Sequence, residues 1–66
     1  METYGEYSIR LESIDDGCIA WAKRVDGRMI DVNHAKQYEF GTMKMPSEKE
    51  ALAAIKEMID AKVFKT

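Results

Sequence analysis

His34 and Cys18 are the single histidine and single cysteine of this 66-residue chain, and Asp15, Asp16 and Asp31 are the carboxylates nearest to them in type and spacing. A cysteine nucleophile needs a base and a group that lowers its pKa, and one imidazole alone completes no such set. A zinc site needs several Cys or His ligands, so one of each points away from it, and a lone cysteine excludes an internal disulfide framework. Asp15-Asp16-Gly17 reads as turn chemistry, since aspartates before glycine hydrogen-bond their own backbone and no EF-hand spacing follows. His34, beside Asn33, reads as a polar loop side chain, and Cys18 as a small residue leaving a hairpin. The four glycines are scattered, with no phosphate-cradling loop among them. The expectation is a chain without a catalytic set, a metal or a cofactor.

The elements that must position these residues are better defined at the C-terminal end. Pro46 cannot continue a ladder, Ser47 is a good N-cap, and Glu50 three residues later completes a capping box. Leu52, Ile55 and Ile59, flanked by Ala51, Ala54 and Met58, form an apolar stripe at helical spacing. That stripe is expected to bury against Ile9, Leu11 and Trp21. Everything before Pro46 reads as strand, punctuated at Asp15-Asp16-Gly17, Asp26-Gly27 and Asn33-His34.

Register follows from the turns. Taken as a three-residue loop with Gly17 left-handed, the first turn sets Leu11 opposite Trp21, Ile14 opposite Cys18 and Tyr7 opposite Val25. A two-residue loop would set Leu11 beside Ala20 or Ala22 and split the apolar side chains between both faces. Asp26-Gly27, as a type I′ pair, would then set Lys23 opposite Ile30 and Trp21 opposite Val32. A connection through Asn33-His34-Ala35 would bring Ile30 beside Tyr38. The fold expected is α+β: one domain over residues 1–66, an antiparallel meander of three to four strands covered by one C-terminal helix. The covered face would hold Tyr7, Ile9, Leu11, Ile19, Trp21, Val25, Ile30, Val32, Tyr38 and Phe40.

On this register Arg10, Ala20, Ala22 and Arg24 lie on the uncovered face, with Lys23 and Arg28 around the Asp26-Gly27 turn. Two alanines would make that face flat and partly apolar, which suits docking. Arg10, Ala20, Ala22, Arg24 and Arg28 are therefore the candidate partner-binding residues. Met43 and Met45, just before the helix, are adaptable side chains that could border such a surface.

Net charge is −2 and unevenly spread: residues 1–33 carry seven acids and four bases (−3), residues 34–66 five acids and six bases (+1). A nucleic-acid binder carries a basic stripe instead, so phosphate-driven binding is disfavoured. No apolar run approaches the roughly 20 residues of a membrane span, and the first residues lack the pattern of a signal peptide, so the expected location is cytoplasmic. With no disulfide or zinc to staple so short a chain, homodimerisation is a way to gain stability.

Two resemblances bear on function. Phe40-Gly41-Thr42-Met43 followed by Ser47-Glu48-Lys49-Glu50-Ala51 and Ala54 resembles the strand-to-helix corner of AP2-type and integrase arm-binding domains. Those domains back a three-stranded sheet with one helix and read DNA with the sheet, which by location makes Arg10, Arg24 and Arg28 the contacts. Tyr7-Ser8-Ile9 leading to Asp15-Asp16-Gly17, with Glu50-Ala51-Leu52 to Ile55-Lys56-Glu57, is similar to the opening hairpin and helix of HicB-like antitoxins. That family neutralises a small RNase toxin by protein contact, although here Arg28 to Met45 replaces its short strand-to-helix link. The function expected is a non-catalytic protein-interaction or regulatory module of a bacterium or phage, with sheet-face DNA binding as the alternative.

Overall fold

The computed structural model describes residues 2–32, 35–62 and 64. Strands β1 (Glu2–Tyr4), β2 (Tyr7–Ile14) and β3 (Gly17–Arg24) form a meander, β4 (Ile30–Val32) and β5 (Ala35–Gln37) a separate small hairpin, and β6 (Glu39–Gly41) returns to β3 before helix α1 (Glu48–Ala61). The result is a four-stranded antiparallel sheet, in the order β1-β2-β3-β6, packed on one helix. This is the expected α+β architecture. No helix among the described residues is long and apolar enough to cross a membrane.

The helix begins where the sequence places it. Ser47 is the N-cap, its Oγ accepting from the Glu50 N–H at 3.3 Å, which satisfies a donor that the first turn leaves without a partner. It ends at Lys62, whose left-handed backbone (φ 56°) returns its N–H to the Ile59 carbonyl. Ala51, Ile55 and Ile59 are the buried positions, while Leu52 is half-buried. At the far edge the Tyr4 hydroxyl donates to the Asp60 carboxylate at 2.8 Å, tying β1 to the last helical turn; that bond, more than burial, raises the phenol's pKa.

The register departs from expectation at the first turn. Asp15-Asp16 is a two-residue loop, which pairs Ile14 with Gly17, Leu11 with Ala20, Arg10 with Trp21 and Ile9 with Ala22. Gly17 is not left-handed. It is a glycine because a Cβ there would collide with the Met45 carbonyl oxygen, and Cys18 exchanges backbone hydrogen bonds with Met45 at 2.8 Å in both directions. A close approach of backbone, rather than a special dihedral, selects glycine here.

The split of apolar residues that this register requires is what the molecule adopts. Ala20 and Ala22, expected on the uncovered face, are wholly buried beneath the helix, against Ala51, Ile55, Ile9 and Phe40. Trp21, expected in the core, lies on the opposite face, while Leu11 is 38% exposed at the sheet edge.

The second turn also redirects the chain. Gly27 is left-handed (φ 79°), but the Asp26 carboxylate accepts from the Arg28 N–H at 3.0 Å and from the Arg24 guanidinium. This Asx-type turn carries the strand off the sheet rather than back along β3. Lys23 and Trp21 consequently pair with Glu39 and Gly41 of β6, not with Ile30 and Val32. Ile30 pairs with Gln37 rather than Tyr38, and Val25 and Tyr38 are exposed. Ile30 and Val32 are nonetheless buried, and Phe64 closes that end of the core against Tyr7 and Phe40. Asn33 and His34 lie outside the described residues.

Candidate functional site on the open face of the sheet

The face of the sheet turned away from α1 is set by the two-residue loop, which sends every even residue of β2 and every odd residue of β3 outward. At its centre is Trp21, half-buried, with Arg10 directly opposite on β2 and Gly41 directly opposite on β6. The indole lies over Gly41 so closely that a Cβ there would stand 2.8 Å from the ring carbons. Glycine in β6 therefore makes the bed on which the ring rests.

Three polar contacts fix this arrangement. The indole Nε1 donates to Glu12 at 3.0 Å, the Arg10 guanidinium carbon stands 5.2 Å from the ring centroid, and Arg10 Nε lies 3.5 Å from Glu39. Lys23 and half-buried Ile19 complete the surface, and a shallow cleft of 110 Å³ opens between Ser8, Arg10, Trp21, Lys23 and Glu39. The face carries two cations and two carboxylates around an aromatic centre and is close to neutral. Such a surface offers apolar area, a cation–π stack and balanced charge for recognition.

The five residues singled out from sequence do not converge. Arg10 alone is on the open face. Ala20 and Ala22 are at 0% exposure, so neither can touch a partner in the folded chain. Arg24 is on the helix side, opposite Tyr7, with its guanidinium 2.8 Å from Asp26, 3.8 Å from Glu6 and 5.7 Å from the Tyr7 ring. Its hydrogen bond to Asp26, with the Arg28 N–H adding to it, holds the Asp26 carboxyl well below the usual carboxylate range and raises the guanidinium further above its own. Arg28 is exposed, 3.7 Å from Asp26. Arg24 and Arg28 thus converge on one turn carboxylate rather than on a docking face.

Trp21, Ile19 and Glu39 were missed as surface residues. The signal for them was Gly41, a glycine inside a strand pattern, which marks a close approach by a neighbouring group. Cys18 is buried with its thiol against the Ile19 carbonyl, and Asp16 pairs with Lys44 at 3.2 Å. Among the described residues no group of three or more His, Cys, Asp or Glu is placed to hold a metal. Comparison with models of protein families, with curated proteins and with solved structures finds no match to this chain.

Proposed function

We propose that this chain is a non-catalytic interaction module that recognises a protein partner through the open face of its sheet, with Trp21 and Arg10 as the anchors. The observation that carries the reading is the indole of Trp21 laid on Gly41 and stacked by Arg10 at the centre of that face. Tryptophan and arginine are the residue types that most often carry binding energy, and they do so near the middle of a patch rimmed by polar groups. The rim here is Glu12, Lys23 and Glu39, whose mixed charge suits a protein surface with its own balanced charges. A phosphate backbone would be attracted by Arg10 and Lys23 and repelled by Glu12 and Glu39 in equal measure, and the whole chain is net negative. A small regulator or inhibitor, antitoxin-like in acting by contact, is the role that fits.

Trp21 is the single tryptophan, so its emission reports occupation of this face directly. The chain is immobilised as wild type, Arg10→Glu and Trp21→Ala, and proteins retained from host lysate are compared. A species held by wild type, lost from both variants, and shifting Trp21 emission when purified and titrated is the expected result. An identical set retained by all three would overturn the assignment. Duplex DNA is titrated in parallel by fluorescence anisotropy at two salt concentrations, with no binding expected tighter than the non-specific range of about 10⁻⁴–10⁻⁶ M. Sub-micromolar, sequence-selective binding lost on Arg10→Ala would make the face a DNA reader instead.

A further inference from the structure

A second surface lies at the sheet edge and does not depend on the reading of the open face. β2 has eight residues, and β1 covers only Tyr7, Ser8 and Ile9, which leaves Arg10 to Ile14 without a neighbour on that side among the described residues. The direction of the backbone groups follows from the ladder. Cys18 and Ala20 spend their hydrogen bonds on Met45 and Thr42, so Ser13 and Leu11, which stand opposite them, are not bonded across β3. In an antiparallel ladder such residues turn both N–H and C=O to the other side. The N–H and C=O of Leu11 and Ser13 therefore point into the open slot. Exposed edges are usually blunted by proline, charged side chains or a bulge; this stretch has no proline, lysine or bulge, and its two charges, Arg10 and Glu12, are of opposite sign.

We propose that this edge pairs antiparallel with the same edge of a second copy, joining two four-stranded sheets into one across a two-fold axis at Glu12. The register is the only one that fits. Only residues of the same parity can exchange bonds, which limits the two-fold axis to Leu11, Glu12 or Ser13. An axis at Leu11 drives Ser13 of the second copy into the place already filled by Glu2. An axis at Ser13 sets Leu11 against the turn residue Asp15 of the second copy. An axis at Glu12 sets each Leu11 opposite Ser13 of the other chain, where both backbone bonds form, and uses the whole stretch from Arg10 to Ile14.

On the open face this seam reads Arg10, Glu12, Glu12, Arg10 across the two chains. Each Glu12 meets its twin directly and Arg10 of the other copy on the diagonal, so one repulsion is flanked by two attractions. On the helix side each half-exposed Leu11 lies beside a groove of 390 Å³ bordered by Ile9 and Leu52, where Leu11 sheds water as the seam closes. The interface is narrow, so the dimer is weak and concentration-dependent. Its assembly brings both Trp21 faces onto one continuous sheet.

Sedimentation equilibrium of the full chain over about 10 µM to 1 mM tests the pairing, since a weak dimer of this kind has a Kd in that range. A reversible monomer–dimer transition is expected. Ser13→Pro removes an edge N–H without breaking a bond to β3 and should leave a monomer whose circular dichroism and Trp21 emission match wild type. The register is read by cross-linking, independently of how the proline variant folds. Glu12→Cys places two thiols on a non-hydrogen-bonded pair about 4.5 Å apart at Cα, within disulfide range, and should oxidise to a covalent dimer, while Ser13→Cys should not. A wild-type chain monomeric throughout, cross-linking through Ser13→Cys instead of Glu12→Cys, or a folded Ser13→Pro that still dimerises would overturn the proposal.

Discussion

The two faces of this sheet reverse the ordinary relation between side-chain size and burial. Beneath the helix β3 presents its two alanines, Ala20 and Ala22, both at 0% exposure, and the helix answers with Ala51, also at 0%. On the open face the same strand presents its largest, Trp21, only half-buried. The difference shows that the depth of the gap between layers, rather than hydrophobicity alone, decides which parity of a strand faces inward. Small residues at the contact let helix and sheet approach closely, and the volume on either side is filled by Ile9, Ile55 and Phe40. A tryptophan at position 20 or 22 would hold the layers apart.

The largest expected effect tests that asymmetry directly. Ala22→Glu places a carboxylate in a space without room or partner, and the cost of an unpaired buried charge should leave the chain unfolded by circular dichroism and amide dispersion. The same substitution would leave the monomer folded if Ala22 lay on a docking face, so the experiment separates the two registers. Next, Ile55→Ala beneath the helix should cost about 2–5 kcal/mol in denaturant unfolding. Trp21→Ala, although it removes more atoms, should cost less, because its ring keeps part of its area in water and its removal leaves an open dent rather than an enclosed cavity. A larger loss at Trp21 than at Ile55 would break the comparison. Ser47→Ala should cost about 1 kcal/mol through the cap alone, with no change in Trp21 emission, since the helix lies on the other side of the sheet.

The smallest effect lies at the edge of the helix-side face and depends on pH. The Arg24 hydrogen bond and the Arg28 N–H depress the Asp26 carboxyl below its unfolded value, so its contribution to stability is complete above about pH 4 and is lost as acid protonates the folded form. Thermal melts between neutral pH and pH 3 should therefore fall less steeply in Asp26→Asn than in wild type. Water screens this exposed pair, and the difference should be slight.

The start of the helix and its apolar stripe were legible because their signals are local: Pro46, Ser47 and Glu50 lie within five residues, and the stripe from Ala51 to Ile59 repeats at one period, whereas the partners expected for it, Leu11 and Trp21, depended on register. The architecture followed from it, since one amphipathic helix needs one sheet. Register was not legible, because it depended on whether Gly17 served a dihedral or a close approach, and the group that approaches it, Met45, is distant in sequence. One residue of slip at Asp15-Asp16 exchanged the alanines and the tryptophan between faces, and the docking residues were exchanged with them. β1 was missed because three residues carry too little pattern. The departure of the chain at Asp26 was hidden in a side-chain hydrogen bond, where Asp-Gly alone signals a simple hairpin.

The approach of Met45 to Gly17 also has a kinetic consequence. The β2–β3 hairpin closes between neighbours, whereas Gly41 must travel back to Trp21, Met45 to Cys18, and Asp60 to Tyr4 across 56 residues. Loop-closure entropy weighs on each of these later steps. The central hairpin is therefore expected to form in the transition state, with the corner at Gly17 sealed afterwards. Gly17→Ala, which wedges a methyl group into that corner, should speed unfolding in stopped-flow measurements while leaving the refolding arm nearly unchanged. This close backbone approach would then act as a latch, setting how long the native state survives rather than how quickly it is reached.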